Sequence, residues 1–191
     1  MKILDKFNIS FNKYPIGNLI DNNGADGEVF ESNNNIIKFV NIYDSKTNVL
    51  KTFNKNRNVI NKIIQEKPKH FVNVYDFGFV KEIDNFYNNY SIIYFYLMEK
   101  LHKLSEDEKK IFHTLISHED FSKKKSLNKN RIDSIIDEFS NFYEFDKNKV
   151  YKFIEQIEKS KIKHLDIHDR NVMKDDFGNF KFIDLERLMI V

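Results

Sequence analysis

Three oxygen-bearing side chains in the C-terminal third of the chain have types and a spacing that could support metal-assisted chemistry. Asp166 and Asn171 lie five residues apart (171 − 166 = 5) in the segment HLDIHDRN, and Asp184 follows 13 residues later (184 − 171 = 13). Mg²⁺ accepts carboxylate and amide oxygens as ligands, and a carboxylate can also accept the proton of an attacking hydroxyl. Such a set could hold Mg²⁺ and activate a hydroxyl.

The elements around these residues are predicted to carry them in a helix–loop–hairpin order. A stripe at helical spacing predicts a helix before the segment, formed by Val150, Phe153, Ile154 and Ile157. After it, the apolar period drops to two over 171–174 and 180–183, which predicts a short hairpin with a turn at 175–179. We therefore expect Asp184 to return beside Asn171 at the open end of this hairpin.

The rest of the chain predicts a strand-rich first half and a helical second half. A hairpin is predicted from 28–31 and 36–40, a helix over about 45–66, and two further strands over 71–80 and 90–98. Two more apolar stripes predict helices after residue 101: Ile111, Phe112, Leu115 and Ile116 in the first, and Ile132, Ile135, Ile136, Phe139, Phe142 and Tyr143 in the second.

Composition excludes several classes of protein. The 191 residues contain no Cys, so disulfides and thiolate metal sites are excluded, and a reducing cytoplasm is the expected location, the host cytoplasm if the gene is viral or from a phage. The N-terminus predicts no signal peptide, and no apolar run reaches the ~20 residues that span a membrane. A net charge of +2 makes nucleic-acid binding a distant alternative.

The segment 164–171 resembles the H-x-D-x-x-x-x-N catalytic loop of the protein-kinase-like superfamily. The resemblance implies that Asp166 is the catalytic base and that Asn171 and Asp184 hold Mg²⁺. His168 makes the loop H-x-D-x-H-x-x-N, which is typical of aminoglycoside phosphotransferases and of many atypical kinases. The resemblance runs from about residue 16 to residue 188.

The N-terminal half supplies a second part of the resemblance. Residues 22–30, NNGADGEVF, are similar to the kinase glycine-rich loop with Asn in place of its first glycine. By resemblance, Gly24 and Gly27 would let main-chain N–H groups approach the phosphates, and Val29 would cover the adenine. Lys38 follows in the next predicted strand, as the kinase lysine does, and would act at the catalytic centre as a ligand of the α- and β-phosphates.

A third part of the resemblance is the end of the predicted strand 90–98. Its continuation, MEKL at 98–101, is similar to a kinase hinge. The resemblance implies that Met98 is the gatekeeper and that the main chains of Glu99 and Leu101 bind the adenine edge. The expected architecture is an α+β, bilobal protein-kinase-like fold, with a β-rich N-lobe over residues 1–99 and a minimal helical C-lobe over 100–191.

The sequence departs from the kinase pattern at several points. The predicted helix 45–66 has no acidic residue to pair with Lys38 before Glu66, at its end. Two literal D-F-G triplets, at 76–78 and 176–178, are in the wrong places, and we expect neither Asp to bind metal. Seven residues follow Asp184 (191 − 184 = 7), so we expect the C-lobe to lack the activation segment and the C-terminal helices.

The leading functional hypothesis is an ATP- and Mg²⁺-dependent kinase that acts on a hydroxyl, with Ser or Thr of a protein slightly favoured. A protein substrate is then the expected partner, and a homodimer or another protein could replace the missing part of the C-lobe. One alternative is a kinase for an aminoglycoside-like or choline-like alcohol, for which the acidic Glu119, Asp120, Asp133, Asp137 and Glu138 are available. The other is a pseudokinase that acts as a binding module.

Overall fold

The fold is described from a computed structural model that covers residues 4, 8–21, 27–85, 89–118 and 127–191. The chain divides into two compact units. Unit 1 comprises Met1–Lys67 and Asn73–Lys100, and unit 2 comprises Pro68–Val72 and Leu101–Val191. Gly24, Glu119 and Asp120 lie outside the described residues.

Unit 1 is built on a five-stranded antiparallel sheet in the order β1-β2-β3-β5-β4. Its strands are β1 Leu19–Asp21, β2 Gly27–Ser32, β3 Asn35–Asp44, β4 Val74–Asn85 and β5 Asn89–Glu99. The predicted hairpin and the strand 90–98 are confirmed as β2–β3 and β5. The strand predicted over 71–80 starts three residues later, and β1 has no periodic signal in the sequence.

Aromatic and β-branched side chains fill one face of this sheet. Phe39 and Phe95 are fully buried, and the ring of Phe11 meets each of them edge-on at a centroid distance of 5.0 Å. The other face is covered by α1, Lys46–Glu66, which buries Val49, Phe53, Asn56, Val59, Ile60 and Ile63. The helix ends where Lys67 adopts a left-handed conformation (φ 46°) and Pro68 follows.

The described part of unit 2 contains three α-helices: α2 Glu106–His118, α3 Lys129–Ser140 and α4 Lys147–Lys159. The apolar stripe of α4 is buried as predicted. The stripe assigned to α3 is too long: its helix ends at Ser140, and Phe142, which follows in a turn, is 76% exposed. No helix in the described part of the chain has the length and hydrophobicity needed to cross a membrane.

Two small antiparallel ladders complete unit 2. The predicted hairpin is present as β7, Val172–Lys174, paired with β8, Phe180–Phe182. A second ladder joins β6, Ile162–His164, to β9, Leu188–Ile190, and neither strand was predicted.

The β7–β8 hairpin is bonded to main chain on both of its edges. On the β8 side, Val72 N–H donates to the Phe182 carbonyl, and Phe182 N–H donates to the His70 carbonyl, both at 2.9 Å. On the β7 side, His102 and Lys174 exchange two main-chain bonds of 2.7 and 2.8 Å. The hairpin is therefore held by main-chain bonds along both of its outer edges within unit 2.

Gly78 is required by packing against the buried ring of Phe95. A Cβ atom at this position would lie 2.5 Å from the ring atom Cε1. We expect Gly78→Ala to lower the free energy of unfolding by about 1–3 kcal/mol, measured by urea denaturation. Adding Phe95→Leu should recover part of the loss because the shorter side chain leaves room, and a double variant whose losses merely add would contradict this explanation.

His70 should make stability depend on pH. Burial lowers its pKa from 6.5 to about 4, so the folded chain holds the neutral imidazole. Its stabilising contribution is complete above pH 6.5 and is lost as the pH falls towards 4. A shift of that size corresponds to about 3 kcal/mol.

The measurement is the free energy of unfolding of wild type and His70→Leu between pH 7.5 and pH 4.5, from about one unit above the unfolded pKa to about half a unit above the folded one. The wild type should lose more stability than the variant on acidification. Parallel curves would show that His70 titrates normally.

Candidate functional site

The candidate catalytic loop starts at the end of β6, where His164 is almost completely buried (2% exposed). Leu165 N–H donates to the Arg187 carbonyl at 2.7 Å, which extends the β6–β9 ladder by one residue. The chain then bends, and Asp166 is exposed. The loop closes with a short 3₁₀ turn, Asp169–Asn171.

Asn171 bonds to three separate points of the chain. Its side-chain Nδ2 donates to the Asp166 carbonyl at 2.9 Å, and its N–H donates to the His168 carbonyl at 2.9 Å. Its own carbonyl accepts from Ile183 N–H at 3.0 Å. Because the amide nitrogen is committed to Asp166, the amide oxygen is the atom of this side chain that could bind a cation.

Asp184 comes directly after Ile183, whose N–H donates to the Asn171 carbonyl. Ile183 comes directly after β8, so its bond to Asn171 closes the open end of the hairpin and places Asp184 next to that junction. The structure thus brings Asp166, Asn171 and Asp184 to one end of the hairpin, as the sequence spacing predicts.

His164 links two of these residues electrostatically. Its Nδ1 accepts a hydrogen bond from Asp166 N–H at 3.2 Å, which fixes the neutral tautomer with the proton on Nε2. Burial lowers the pKa of His164, and the nearby Asp184 and Asp166 oppose that shift. The His164 ring also packs against Phe182, tilted by 41° at a centroid distance of 5.0 Å, so the start of the loop is packed on a buried ring of β8.

His168 stands inside the same loop. Its Nδ1 is buried and has no hydrogen-bond partner in the described part of the chain. Its carbonyl accepts the bond from Asn171 described above, so its main chain contributes to holding the loop closed.

The donor set fits Mg²⁺ better than a metal that needs a complete protein cage. No cluster of three or more His, Asp or Glu suited to a metal is found among the described residues. Mg²⁺ is commonly held by one or two protein oxygens together with substrate phosphates and water. An amide oxygen from Asn171 and the carboxylate of Asp184 match that requirement.

The hairpin that carries these groups is packed firmly. Phe180 meets Phe112 of α2 at 4.7 Å, and Phe182 meets Phe153 of α4 at 5.0 Å. Lys174 of β7 forms an ion pair of 2.7 Å with Glu108, which also caps α2 by accepting from Ser105 N–H. The candidate site therefore stands on a rigid support.

In unit 1, three of the predicted nucleotide ligands lie on one face of the sheet. Val29 and Lys38 are directly opposite each other in the β2–β3 register, and Gly27 lies on the same side of β2 as Val29. Lys38 Nζ lies 5.9 Å from the ring centroid of Tyr96, its register partner on β5. Tyr96 was not predicted as a neighbour of Lys38 because it lies in a continuous apolar run without alternation.

Gly27 has a packing requirement of its own. A Cβ atom there would lie 2.6 Å from the Phe39 carbonyl oxygen and 3.1 Å from Lys38 Cε. Glycine at this position therefore lets the Lys38 stem lie close to β2. This contact is additional to the phosphate approach that the resemblance implies.

The predicted hinge residues lie at the end of β5. Met98 is buried and pairs with Val74 on β4, and Glu99 is the last residue of the strand. Leu101 is half-buried and belongs to unit 2. Glu99 N–H donates to the Asn73 carbonyl, so an adenine contact from the Glu99 main chain would use its carbonyl oxygen.

The polar residue that α1 buries is an amide. Asn56 Nδ2 donates to the Tyr94 hydroxyl at 3.1 Å. Glu66, at the end of the same helix, has its Oε1 atom 3.8 Å from Lys62 Nζ.

The aspartate of each literal D-F-G triplet is bonded to another side chain. Asp76 accepts from the Tyr14 hydroxyl at 2.7 Å and pairs with Lys13 at 2.6 Å, which holds the N-terminal segment on β4. Asp176 lies in the exposed β7–β8 turn, where it pairs with His102 at 2.7 Å.

Comparison with known proteins gives a likeness of fold. A crystal structure of WbdD aligns with a TM-score of 0.50 and 16% identity over 95% of this chain. The alignment covers 34% of WbdD, so the chain spans about a third of that protein's length. WbdD is described as a bifunctional kinase-methyltransferase, and the alignment shows a likeness of fold to part of it.

Two further WbdD structures align more loosely. One contains the kinase inhibitor LY294002 and the other is at medium resolution, with TM-scores of 0.48 and 0.45. Alignments at that level do not define a fold. No model of a known protein family matches the chain. A search of the curated proteins also found no match.

The amide of Asn171 should not be replaceable by a carboxylate. Asn171→Asp removes the donor to the Asp166 carbonyl and sets two acceptors against each other, which should destabilise the protein by about 1–3 kcal/mol and speed hydrogen exchange at Ile183. The matched control is Asn128→Asp, because Asn128 caps α3 by accepting from Arg131 N–H, a role that a carboxylate can also fill. Equal stability of the two variants would contradict the anchoring role.

Proposed function

We propose that this chain is an ATP-dependent phosphotransferase that moves the γ-phosphate of ATP to a hydroxyl. The observation that carries the proposal is the triple bonding of Asn171, which gathers Asp166, Asn171 and Asp184 at one end of the β7–β8 hairpin. Phosphoryl transfer requires little more than correctly positioned oxygen ligands and one base. The WbdD-like fold is consistent with this chemistry.

Each residue has a distinct role in the proposed reaction. The Asp166 carboxylate orients the acceptor hydroxyl and takes its proton. Asn171 and Asp184 hold Mg²⁺, which supplies positive charge to the phosphate oxygens when bound. Lys38 and the main chain of Gly24 and Gly27 bind phosphates, while Val29, Met98 and the main chains of Glu99 and Leu101 surround the adenine.

We propose a Ser or Thr hydroxyl of a protein as the acceptor, with a small alcohol as the second candidate. The small alcohol is favoured by His168, which gives the loop the form typical of aminoglycoside phosphotransferases. The acidic residues of α3 are weaker support for a small-alcohol acceptor than His168 is. Asp137 is already paired with Lys147 at 3.0 Å, and Asp133 accepts from the Tyr151 hydroxyl.

The test is transfer of label from γ-labelled ATP in Mg²⁺, with the protein alone and with cell lysate. Asp166→Asn and Asp184→Asn should each lower transfer by at least about 100-fold. Asp176→Asn is the matched control, because this carboxylate is an exposed turn residue within a literal D-F-G triplet and should keep full activity.

The location of the label identifies the acceptor class. Label on a protein band supports the Ser or Thr acceptor, and label on a small molecule supports the alcohol. Absence of both transfer and nucleotide binding in the wild type would overturn the proposal in favour of a non-catalytic binding module.

A further inference from the structure

Glu99 and Asn73 form an irregular end to the β4–β5 ladder in unit 1. In a regular hydrogen-bonded antiparallel pair, two residues exchange both of their main-chain N–H···O bonds. Glu99 N–H does donate to the Asn73 carbonyl, at 3.0 Å. Asn73 N–H, however, donates to the side-chain atom Oε1 of Glu99, at 2.7 Å, and so the carboxylate takes the place that the carbonyl has in a regular ladder.

The second oxygen of the same carboxylate is also bound by Asn73. Asn73 Nδ2 donates to Glu99 Oε2 at 2.9 Å, which brings the number of hydrogen bonds between these two residues to three. Bonds to an ionised acceptor are stronger than neutral ones, and both residues are partly buried. We call this arrangement the Asn73–Glu99 clamp.

The clamp holds the residue whose carbonyl the proposed function assigns to adenine recognition. We propose that Asn73 is a positioning residue of the nucleotide site: by holding the Glu99 side chain and N–H, it sets the direction of the Glu99 carbonyl towards the adenine amino group. This inference rests on the proposed function. It implies selectivity for ATP over GTP, because guanine has an oxygen acceptor at the position of the adenine amino group.

The test measures equilibrium affinity for ATP and for GTP in Mg²⁺ by titration calorimetry, together with the melting temperature. Asn73→Ala removes the Nδ2 donor and leaves every main-chain atom in place. ATP affinity should fall about tenfold, while GTP affinity should change much less, so the ATP-to-GTP ratio collapses. A purely structural role would lower both affinities together with the melting temperature.

A reversed pair provides the rescue. Asn73→Asp alone sets two carboxylates against each other and should weaken ATP binding further. Combined with Glu99→Gln it restores a donor–acceptor pair of opposite direction, and the ATP-to-GTP ratio should recover.

The matched control is Asn48→Ala, because the Asp44 carboxylate binds Asn48 Nδ2 (3.0 Å) and Ser45 N–H (2.6 Å) in the same way. Asp44 is nine residues from the clamp along the β3–β5 register (99 − 90 = 9), where it pairs with Tyr90, and this variant should bind both nucleotides as wild type does.

The outcomes separate the two proposals. A wild type that binds ATP, with Asn73→Ala showing an unchanged ATP-to-GTP ratio or an equal loss for both nucleotides, overturns the positioning role and leaves the phosphotransferase proposal intact. A wild type that binds neither nucleotide overturns both.

Discussion

The side-chain bond from Asn171 Nδ2 to the Asp166 carbonyl is the interaction on which the candidate site depends. It closes a six-residue loop, and the main chain of the same asparagine then holds Ile183 at the far end of β8. One residue thus ties together Asp166, His168 and the segment that carries Asp184. A carboxylate could bind a metal in its place but could not donate the bond that shapes the loop.

The surroundings of this bond explain why a short hairpin can hold a site. The strands β7 and β8 have only three residues each, too few to be stable alone. Main chain from 70–72 and from His102 pairs with their outer edges, and Phe180 and Phe182 pack on two helices. The two residues proposed as metal ligands lie at the ends of this supported element, which limits their freedom to move.

The elements with strong periodicity could be predicted from the sequence. The helix α4 and the strand β5 have long, unambiguous apolar patterns, and the loop motif with its spacing predicted which residues of unit 2 meet. Three-residue strands such as β6 and β9 lack enough positions to show a period, since their pairing comes from tertiary context. The extension of the α3 stripe to Phe142 was wrong, because apolar residues can keep helical spacing after the helix has ended at Ser140.

The clamp at Asn73 illustrates a second limit. A polar residue before a strand is typical of a turn. Only the hydrogen bonds between Asn73 and Glu99 reveal that the Glu99 carboxylate replaces the carbonyl of a regular ladder. In the same way, the sequence could not reveal that Tyr96 lies beneath Lys38, because every residue from Tyr90 to Met98 is buried and the pattern does not distinguish the two faces.

The central claim, that Asn171 and Asp184 form a metal site, is tested most directly by a crystal structure with a non-hydrolysable ATP analogue and Mn²⁺, located by its anomalous scattering. We predict a single strong peak about 2.1 Å from an oxygen of each residue, with the remaining positions filled by phosphate and water. A nucleotide bound with its metal away from both side chains would contradict the claim, whatever activity the protein shows.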